Sequence, residues 1–164
     1  MPLIRHAQPQ DLPGILDIYN DAVLKTTAIW NETPVDLANR QSWYESRISS
    51  GQPILVAVRE EHVLGYASYG PFRAFEGFRA TGELSLYVSS RSRGHGIGRQ
   101  LLQTLIVEAG ERGLHVLVAG IEAGNTVSIR LHESLGFVES GRMPEVGQKF
   151  GRYLDLVLMQ RQVG

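Results

Sequence analysis

Three glycines at alternate positions, Gly94, Gly96 and Gly98, have the spacing that most directly indicates chemistry in this sequence. Glycine has no Cβ atom, so such a loop can bend sharply and present its backbone N–H groups to a ligand. The following segment, 99–109, has apolar residues at helical spacing, and the start of a helix adds unpaired N–H groups and a positive dipole end. The pattern therefore predicts a binding site for a diphosphate.

Two common phosphate loops do not fit this pattern. A P-loop needs a lysine followed by serine or threonine at the helix start, whereas Arg99 and Gln100 follow Gly98. The dinucleotide-binding fingerprint needs a glycine three positions after its second one, and counting from Gly96 that position is Arg99. A strand-to-helix turn without any ligand remains the alternative for the loop alone.

Composition and charge exclude several other functions. The formal net charge is −1, so no electrostatic field favours nucleic acid or an anionic membrane. The chain has no cysteine, which rules out thiol catalysis, disulfides and thiolate metal sites, and the scattered histidines indicate no metal site. There is no signal-peptide pattern and no apolar run near the length of about 20 residues that spans a membrane. We therefore expect a cytoplasmic protein without nucleic-acid or membrane partners.

Periodicity predicts a single α/β domain over residues 1–164, because no linker, repeat or low-complexity tract interrupts the chain. Alternating or continuous apolar runs predict seven strands, at 2–7, 53–59, 63–70, 83–88, 115–121, 137–140 and 153–160. Helical spacing predicts four helices, at 11–24, 36–49, 99–109 and 125–135. Segment 71–80 is predicted as a loop rich in phenylalanine and arginine, and segment 143–151 as an irregular connection.

The motif Arg93-x-x-Gly96-x-Gly98 resembles the acetyl-coenzyme A loop of the GNAT superfamily of N-acetyltransferases, and the predicted element order matches that superfamily over nearly the whole chain. Within the superfamily the chain is similar to the phosphinothricin and methionine sulfoximine N-acetyltransferases, through segments such as 27–34, 65–70 and 147–152. The resemblance implies a mixed, mostly antiparallel sheet flanked by helices. It also implies a homodimer that uses acetyl-coenzyme A, without a metal, to acetylate the α-amino group of a small amino-acid analogue by direct attack in a ternary complex.

The same resemblance implies two catalytic residues. A free α-amino group has a pKa of about 8, so it must lose a proton before or during attack on the thioester. Glu83, at the start of the fourth predicted strand, is the candidate base, and a surface or ion-paired glutamate is the alternative. His132 occupies the position where many relatives have a tyrosine that protonates the leaving thiolate, and a structural histidine is the alternative.

Coenzyme contacts are implied for the strand backbone, the glycine loop and the last helix. For three of these residues a role without the coenzyme remains open. Asn125 is also a candidate helix cap, Ser134 could be an ordinary surface serine, and His95 could simply be exposed. The predicted cofactor-binding residues are Leu86, Tyr87, Val88, Arg93, Gly94, His95, Gly96, Ile97, Gly98, Arg99, Asn125 and Ser134.

The substrate is implied to be a zwitterion, so its carboxylate favours an arginine. Arg73 is the candidate, in a loop where many relatives have proline in place of Ala74. Trp30 and Phe75 are candidate walls of the site or core residues. The predicted substrate-binding residues are Arg73, Ala74, Phe75, Glu83, Leu84, Ser85 and Trp30, and the segment 149–152 is expected to reach into a neighbouring subunit.

Two alternatives remain open at this point. One is an acetyltransferase for a protein N-terminus or a polyamine, although the loop around Arg73 and Phe75 lacks the acidic pocket that a polyamine needs. The other is a domain that binds acetyl-coenzyme A without turnover.

Overall fold

The computed structural model describes residues 1–164, and a seven-stranded mixed sheet forms its centre. The strands are β1 (Leu3–His6), β2 (Ile54–Arg59), β3 (His62–Pro71), β4 (Thr81–Val88), β5 (Val116–Glu122), β6 (Val138–Lys149) and β7 (Arg152–Gln162). Their order across the sheet is β1-β2-β3-β4-β5-β7-β6, and every neighbouring pair is antiparallel except β4 and β5. The predicted mixed, mostly antiparallel sheet is thereby confirmed.

Four α-helices cover the two faces of the sheet. They are α1 (Leu12–Lys25), α2 (Leu37–Ser49), α3 (Ile97–Glu111) and α4 (Thr126–Ser134). Leu101, Leu105 and Ala109 lie on one stripe of α3 and are fully buried, so this helix forms because its apolar face covers the sheet. On the opposite face, Ile15 and Ile18 of α1 pack with Tyr66 in a separate core cluster. None of the helices is long and apolar enough to cross a membrane.

The prediction of an irregular connection at 143–151 is wrong. Strand β6 runs through Val138–Lys149 and pairs with β7. Register shifts between Glu139 and Gly141 and between Met143 and Gly147 interrupt the alternation of side chains, and Glu145 has a positive φ of 56°. Because of these bulges, the side chains of β6 do not alternate with a period of two, so the sequence pattern does not indicate a strand. The strand still forms because β7 pairs with it along its length.

Lys149, at the end of β6, is buried rather than available to a neighbouring subunit, which contradicts that part of the expectation for 149–152. Its Nζ atom donates to the backbone oxygens of Val23, Thr26 and Ile29 at 2.7, 2.6 and 2.5 Å. No carboxylate pairs with it, and burial lowers its pKa. The ammonium group therefore fastens the end of α1 and the loop after it to the β6–β7 turn.

Strands β4 and β5 are joined at one end only. They share three residue pairs, from Thr81–Val116 to Glu83–Val118. Beyond that point β4 continues to Val88 and β5 to Glu122 without pairing to each other. The sheet therefore contains a wedge-shaped opening between its two central strands.

Candidate active site

The wedge between β4 and β5 forms a cleft that residues from four elements line. They are residues 84–87 of β4, residues 119–122 of β5, Asn125, Ser128 and His132 around α4, and Ala28 of the loop after α1. Strand divergence leaves the backbone of β4 open at this point, so the fold creates the cleft directly.

The β4 backbone presents unpaired hydrogen-bonding groups to this cleft. Ser89 donates its N–H to the oxygen of Leu64, and hydrogen-bonded positions alternate along an antiparallel pair. Tyr87 therefore pairs with Tyr66 in the β3 ladder, while the N–H and C=O groups of Leu86 and Val88 point toward β5. Because β5 has diverged by then, those two residues have no strand partner. Of the three predicted β4 contacts, Leu86 and Val88 therefore have free backbone groups, whereas the backbone of Tyr87 is paired with β3 and its ring packs against Tyr66.

The glycine loop ends at the first turn of α3. Gly94 and Gly96 have positive φ values of 81° and 76°, which explains the need for glycine at both positions. Gly96 caps the helix without a side chain, so the first N–H groups of α3 remain available. The helix begins at Ile97, two residues before the predicted start, and Gly98 lies inside it. A Cβ at Gly98 would lie 3.5 Å from Leu131 and 3.6 Å from Val88.

Side chains around this loop are mostly exposed. Arg93, His95 and Arg99 lie at the surface next to the loop. Arg99 Nη1 donates to Ser134 Oγ at 2.8 Å, which joins the start of α3 to the end of α4. Asn125 caps α4 by accepting the N–H of Ser128 at 3.2 Å, and it also lines the cleft. The structure thus joins the helix after the predicted loop to Ser134 through Arg99 and places Asn125 in the lining of the cleft.

Glu83 stands at the point where β4 and β5 separate. The carboxylate lies next to Gly120 of β5, where an added Cβ would be 3.5 Å from Glu83 Oε2. Partial burial raises the pKa of Glu83, and the positive charge of Arg73 acts in the opposite direction. A carboxylate with a raised pKa at the mouth of a cleft suits a proton acceptor.

His132 lines the cleft from α4 and is only 2% exposed. Its Nδ1 atom donates to the backbone oxygen of Ser128 at 2.7 Å, so the neutral ring carries a lone pair on Nε2. That Nε2 atom is buried and has no hydrogen-bond partner in the protein. Burial lowers the pKa of His132, although the hydrogen bond to Ser128 opposes this. The geometry therefore favours an acceptor rather than a charged acid at this position.

The predicted substrate residues divide into two groups. Leu84 and Ser85 line the cleft, and the Leu84 side chain also belongs to the core cluster that contains the buried residues of α3. Arg73, Ala74 and Phe75 lie outside the cleft on an exposed loop, where Arg73 stacks on Phe72 at 5.3 Å from the ring centroid.

Trp30 is half-buried outside the lining of the cleft. Its indole N–H donates to the oxygen of Thr27 at 2.9 Å. The ring packs directly on Gly147 of β6, where an added Cβ would overlap it. Trp30 therefore connects the loop after α1 to the paired strands β6 and β7, which we call the β6–β7 arm.

Sequence reasoning missed six residues that line the cleft: Ala28, Ala119, Gly120, Ile121, Glu122 and Ser128. Ala28 and Ser128 carry no distinctive signal, because a small residue in a loop or helix has many roles. Gly120 interrupts the apolar run of β5, and an isolated glycine in a strand often marks a close approach. That signal could have identified it as a position close to the Glu83 carboxylate.

Comparison with known proteins agrees with this architecture. A family model described as the acetyltransferase (GNAT) family matches residues 15–137. The chain is 65% identical over 158 residues to the L-methionine sulfoximine/L-methionine sulfone acetyltransferase of Pseudomonas paraeruginosa, covering 96% of this chain and 92% of the relative.

Two solved structures are also closely similar. The ribosomal-protein-alanine N-acetyltransferase of Brucella melitensis has a TM-score of 0.96 and 64% identity, over 98% of this chain and 99% of that one. An acetyltransferase of Salmonella typhimurium, solved with its cofactor acetyl-CoA, has a TM-score of 0.98 and 52% identity, over 100% of this chain and 95% of that one.

Proposed function

This chain belongs to the GNAT acetyltransferase family, and on that premise we propose that it transfers an acetyl group from acetyl-CoA to the α-amino group of a small amino acid or amino-acid analogue. The residues present fit acetyl-CoA: the glycine loop at the start of α3 suits a diphosphate, and the open backbone of β4 suits an amide-containing chain. When bound, this co-substrate supplies the thioester carbonyl as acetyl donor.

The observation that carries the proposal is the position of Glu83 beside the unpaired backbone of β4. Glu83 accepts one proton from the ammonium form of the substrate, which frees the lone pair on nitrogen. As the C–N bond forms and the C–S bond breaks, the second proton that the nitrogen releases goes to the thiolate of the departing coenzyme A. The N–H groups of Leu86 and Val88 point to the side of β4 from which β5 has diverged, and Leu86 lines the cleft, so its N–H can stabilise negative charge on the carbonyl oxygen. The buried Nε2 of His132 supports an accepting role toward a donor in the cleft.

The substrate class is supported by the relatives and by the positive charge near Glu83. Arg73 is the charge that acts on Glu83, so an amine there would have a carboxylate-binding group within reach. The Pseudomonas relative is named for L-methionine sulfoximine and L-methionine sulfone. We propose these two compounds as substrates, with phosphinothricin as a further analogue to test.

A protein N-terminus is the second candidate substrate, because the Brucella structure is that of a ribosomal-protein-alanine N-acetyltransferase. The two candidates differ in the space that the acceptor needs beyond its first residue. A thiol-release assay with acetyl-CoA separates them, using L-methionine sulfone, L-methionine sulfoximine, phosphinothricin, a polyamine and an alanine-initiated peptide as acceptors. We expect turnover with the amino-acid analogues and little with the peptide or the polyamine.

Replacing Glu83 by glutamine tests the catalytic assignment. We expect turnover to fall by about a hundredfold or more, the usual contribution of a general base, while acetyl-CoA affinity measured by calorimetry persists. The matched control is Glu61→Gln, the same change at an exposed turn residue. Unchanged turnover in Glu83→Gln would reject Glu83 as the base. Coenzyme binding in the wild type with no turnover on any acceptor would favour a non-catalytic sensor.

A second copy of the chain is the proposed partner. Apolar side chains are exposed along the paired strands β6 and β7, namely Val138, Met143, Val146, Phe150 and Tyr153. Exposed apolar patches on a soluble protein commonly mark interaction surfaces. A homodimer through this arm remains a prediction.

A further inference from the structure

Two arginines of α2 lie on the sheet face that carries Glu83 but have no acidic partner. Arg40 and Arg47 are seven residues apart, so they lie on the same side of the helix. Neither forms a salt bridge in the structure. Buried or half-buried cations are normally paired, so this pair is a candidate anion-binding group.

Arg40 is held by aromatic rings instead of a carboxylate. It is 9% exposed, and its guanidinium lies 4.2 Å from the ring centroid of Tyr19 and 4.9 Å from that of Trp43. Its hydrogen bonds, from Nε at 3.0 Å and Nη2 at 2.8 Å, go to the side chain of Asn39. The positive charge is therefore fixed in place and not neutralised.

Arg47 lies directly against the strands beside Glu83. Its Nε atom donates to Ser68 Oγ at 3.3 Å, and a Cβ at Gly70 would lie 2.6 Å from its Nη1 atom. Gly70 is the residue opposite Glu83 in the β3–β4 ladder. The absence of a side chain at Gly70 thus lets the guanidinium lie one strand away from the candidate base. Burial, and then the charge of Arg40, lower the pKa of Arg47. Negative charge bound there would offset the repulsion between the two cations.

The position of Arg47 selects which part of an amino-acid substrate it can reach. The α-carboxylate is bonded to the carbon that carries the amine, so it must remain close to Glu83. Arg73 is the arginine whose charge acts on Glu83, and it suits that carboxylate. Arg47 lies on the same face of the sheet as Glu83 but over β3, one strand farther from β5, so it is placed to contact a part of the substrate that lies beyond the amine.

We propose that Arg47, with Arg40 behind it, binds the oxygen atoms on the side chain of the substrate. The sulfone and sulfoximine oxygens carry partial negative charge and the phosphinate is an anion, so each can accept hydrogen bonds from the N–H groups of a guanidinium. This inference rests on the proposed function and deepens it, since it assigns the group that distinguishes an oxidised side chain from a plain thioether.

The test compares L-methionine sulfone with L-methionine, which has the same carbon skeleton without the two oxygens. Hydrogen bonds to a charged group contribute about 1.5–3 kcal/mol, so Arg47→Gln should lower the ratio of kcat/KM for sulfone over methionine by about tenfold to a hundredfold. The effect should appear mainly in KM for the sulfone, with the KM for acetyl-CoA much less affected. Gly70→Ala, which pushes the guanidinium aside without changing charge, should shift the ratio in the same direction.

Arg59→Gln, the same change at an exposed residue of β2, serves as the control and should keep the wild-type ratio. A wild-type ratio in both Arg47→Gln and Gly70→Ala would overturn the inference while leaving the proposed function intact. An equal loss on both substrates would overturn it as well, because it would indicate a structural role. A wild-type protein without turnover on any amino acid would overturn the proposed function, and this inference with it.

Discussion

Replacing Lys149 by methionine removes the donor that holds the loop after α1 to the β6–β7 turn. Methionine preserves most of the length of the side chain, so little cavity forms, but three backbone oxygens lose their partner. A buried acceptor left without its donor costs about 1–3 kcal/mol, so three such oxygens together should cost on the order of 3–5 kcal/mol, toward the lower end of their sum. For a protein of this size we expect the melting temperature to fall by roughly 6–20 °C.

Calorimetric or denaturant unfolding of the variant measures this effect directly. The control is Lys25→Met, at the only other lysine of the chain, whose exposed side chain pairs with Asp21 at 2.8 Å. Such surface pairs contribute about 0–1 kcal/mol, so this change should hardly affect unfolding. If Lys149→Met unfolds at the same temperature as Lys25→Met, the three hydrogen bonds do not stabilise the protein as we argue.

Two further predictions concern the neighbourhood of the site. Gly147→Ala should displace the Trp30 ring, because the ring occupies the space of the new methyl group. We expect a loss of about 1–3 kcal/mol of unfolding free energy and a changed tryptophan fluorescence spectrum. The control Gly77→Ala, where nothing lies within 4 Å of the added Cβ, should change neither the stability nor the spectrum. An unchanged spectrum and stability would contradict the packing described. The carboxyl group of Glu83, followed by NMR as pH falls, should take up its proton above the ordinary value of 4.5, so the deprotonated, base-competent form is lost in that raised range. Arg73→Gln should raise this pKa further because it removes a positive charge, and a decrease would refute the electrostatic argument.

The sequence predicted those elements whose burial follows a regular period. The stripe Leu101, Leu105 and Ala109 repeats at helical spacing, and α3 lies where that spacing places it, apart from its first turn. The glycines at 94 and 96 were identifiable because a positive φ strongly favours glycine. Strand β6 was missed because its bulges break the alternation on which strand prediction depends.

The remaining features depend on contacts between distant parts of the chain. The partners of Lys149 lie 120–126 residues earlier, so no local pattern marks that lysine as buried. The place of Arg47 over Gly70 requires both the packing of α2 and the register of β3 with β4. The roles of Glu83 and His132 came from family resemblance, and they stay predictions until tested. The acceptor geometry of His132 could not be read from the sequence, since it depends on which atom faces Ser128.

The limited pairing between β4 and β5 also has a mechanical consequence. The sheet consists of two halves, β1–β4 and β5–β7, held together at one end by three residue pairs, whereas β5 and β7 share seven. Across the cleft the two halves are therefore joined by the shared core packed under α3 rather than by backbone hydrogen bonds. A ligand that contacts both β4 and β5 there would add the cross-strand links that the sheet itself does not supply.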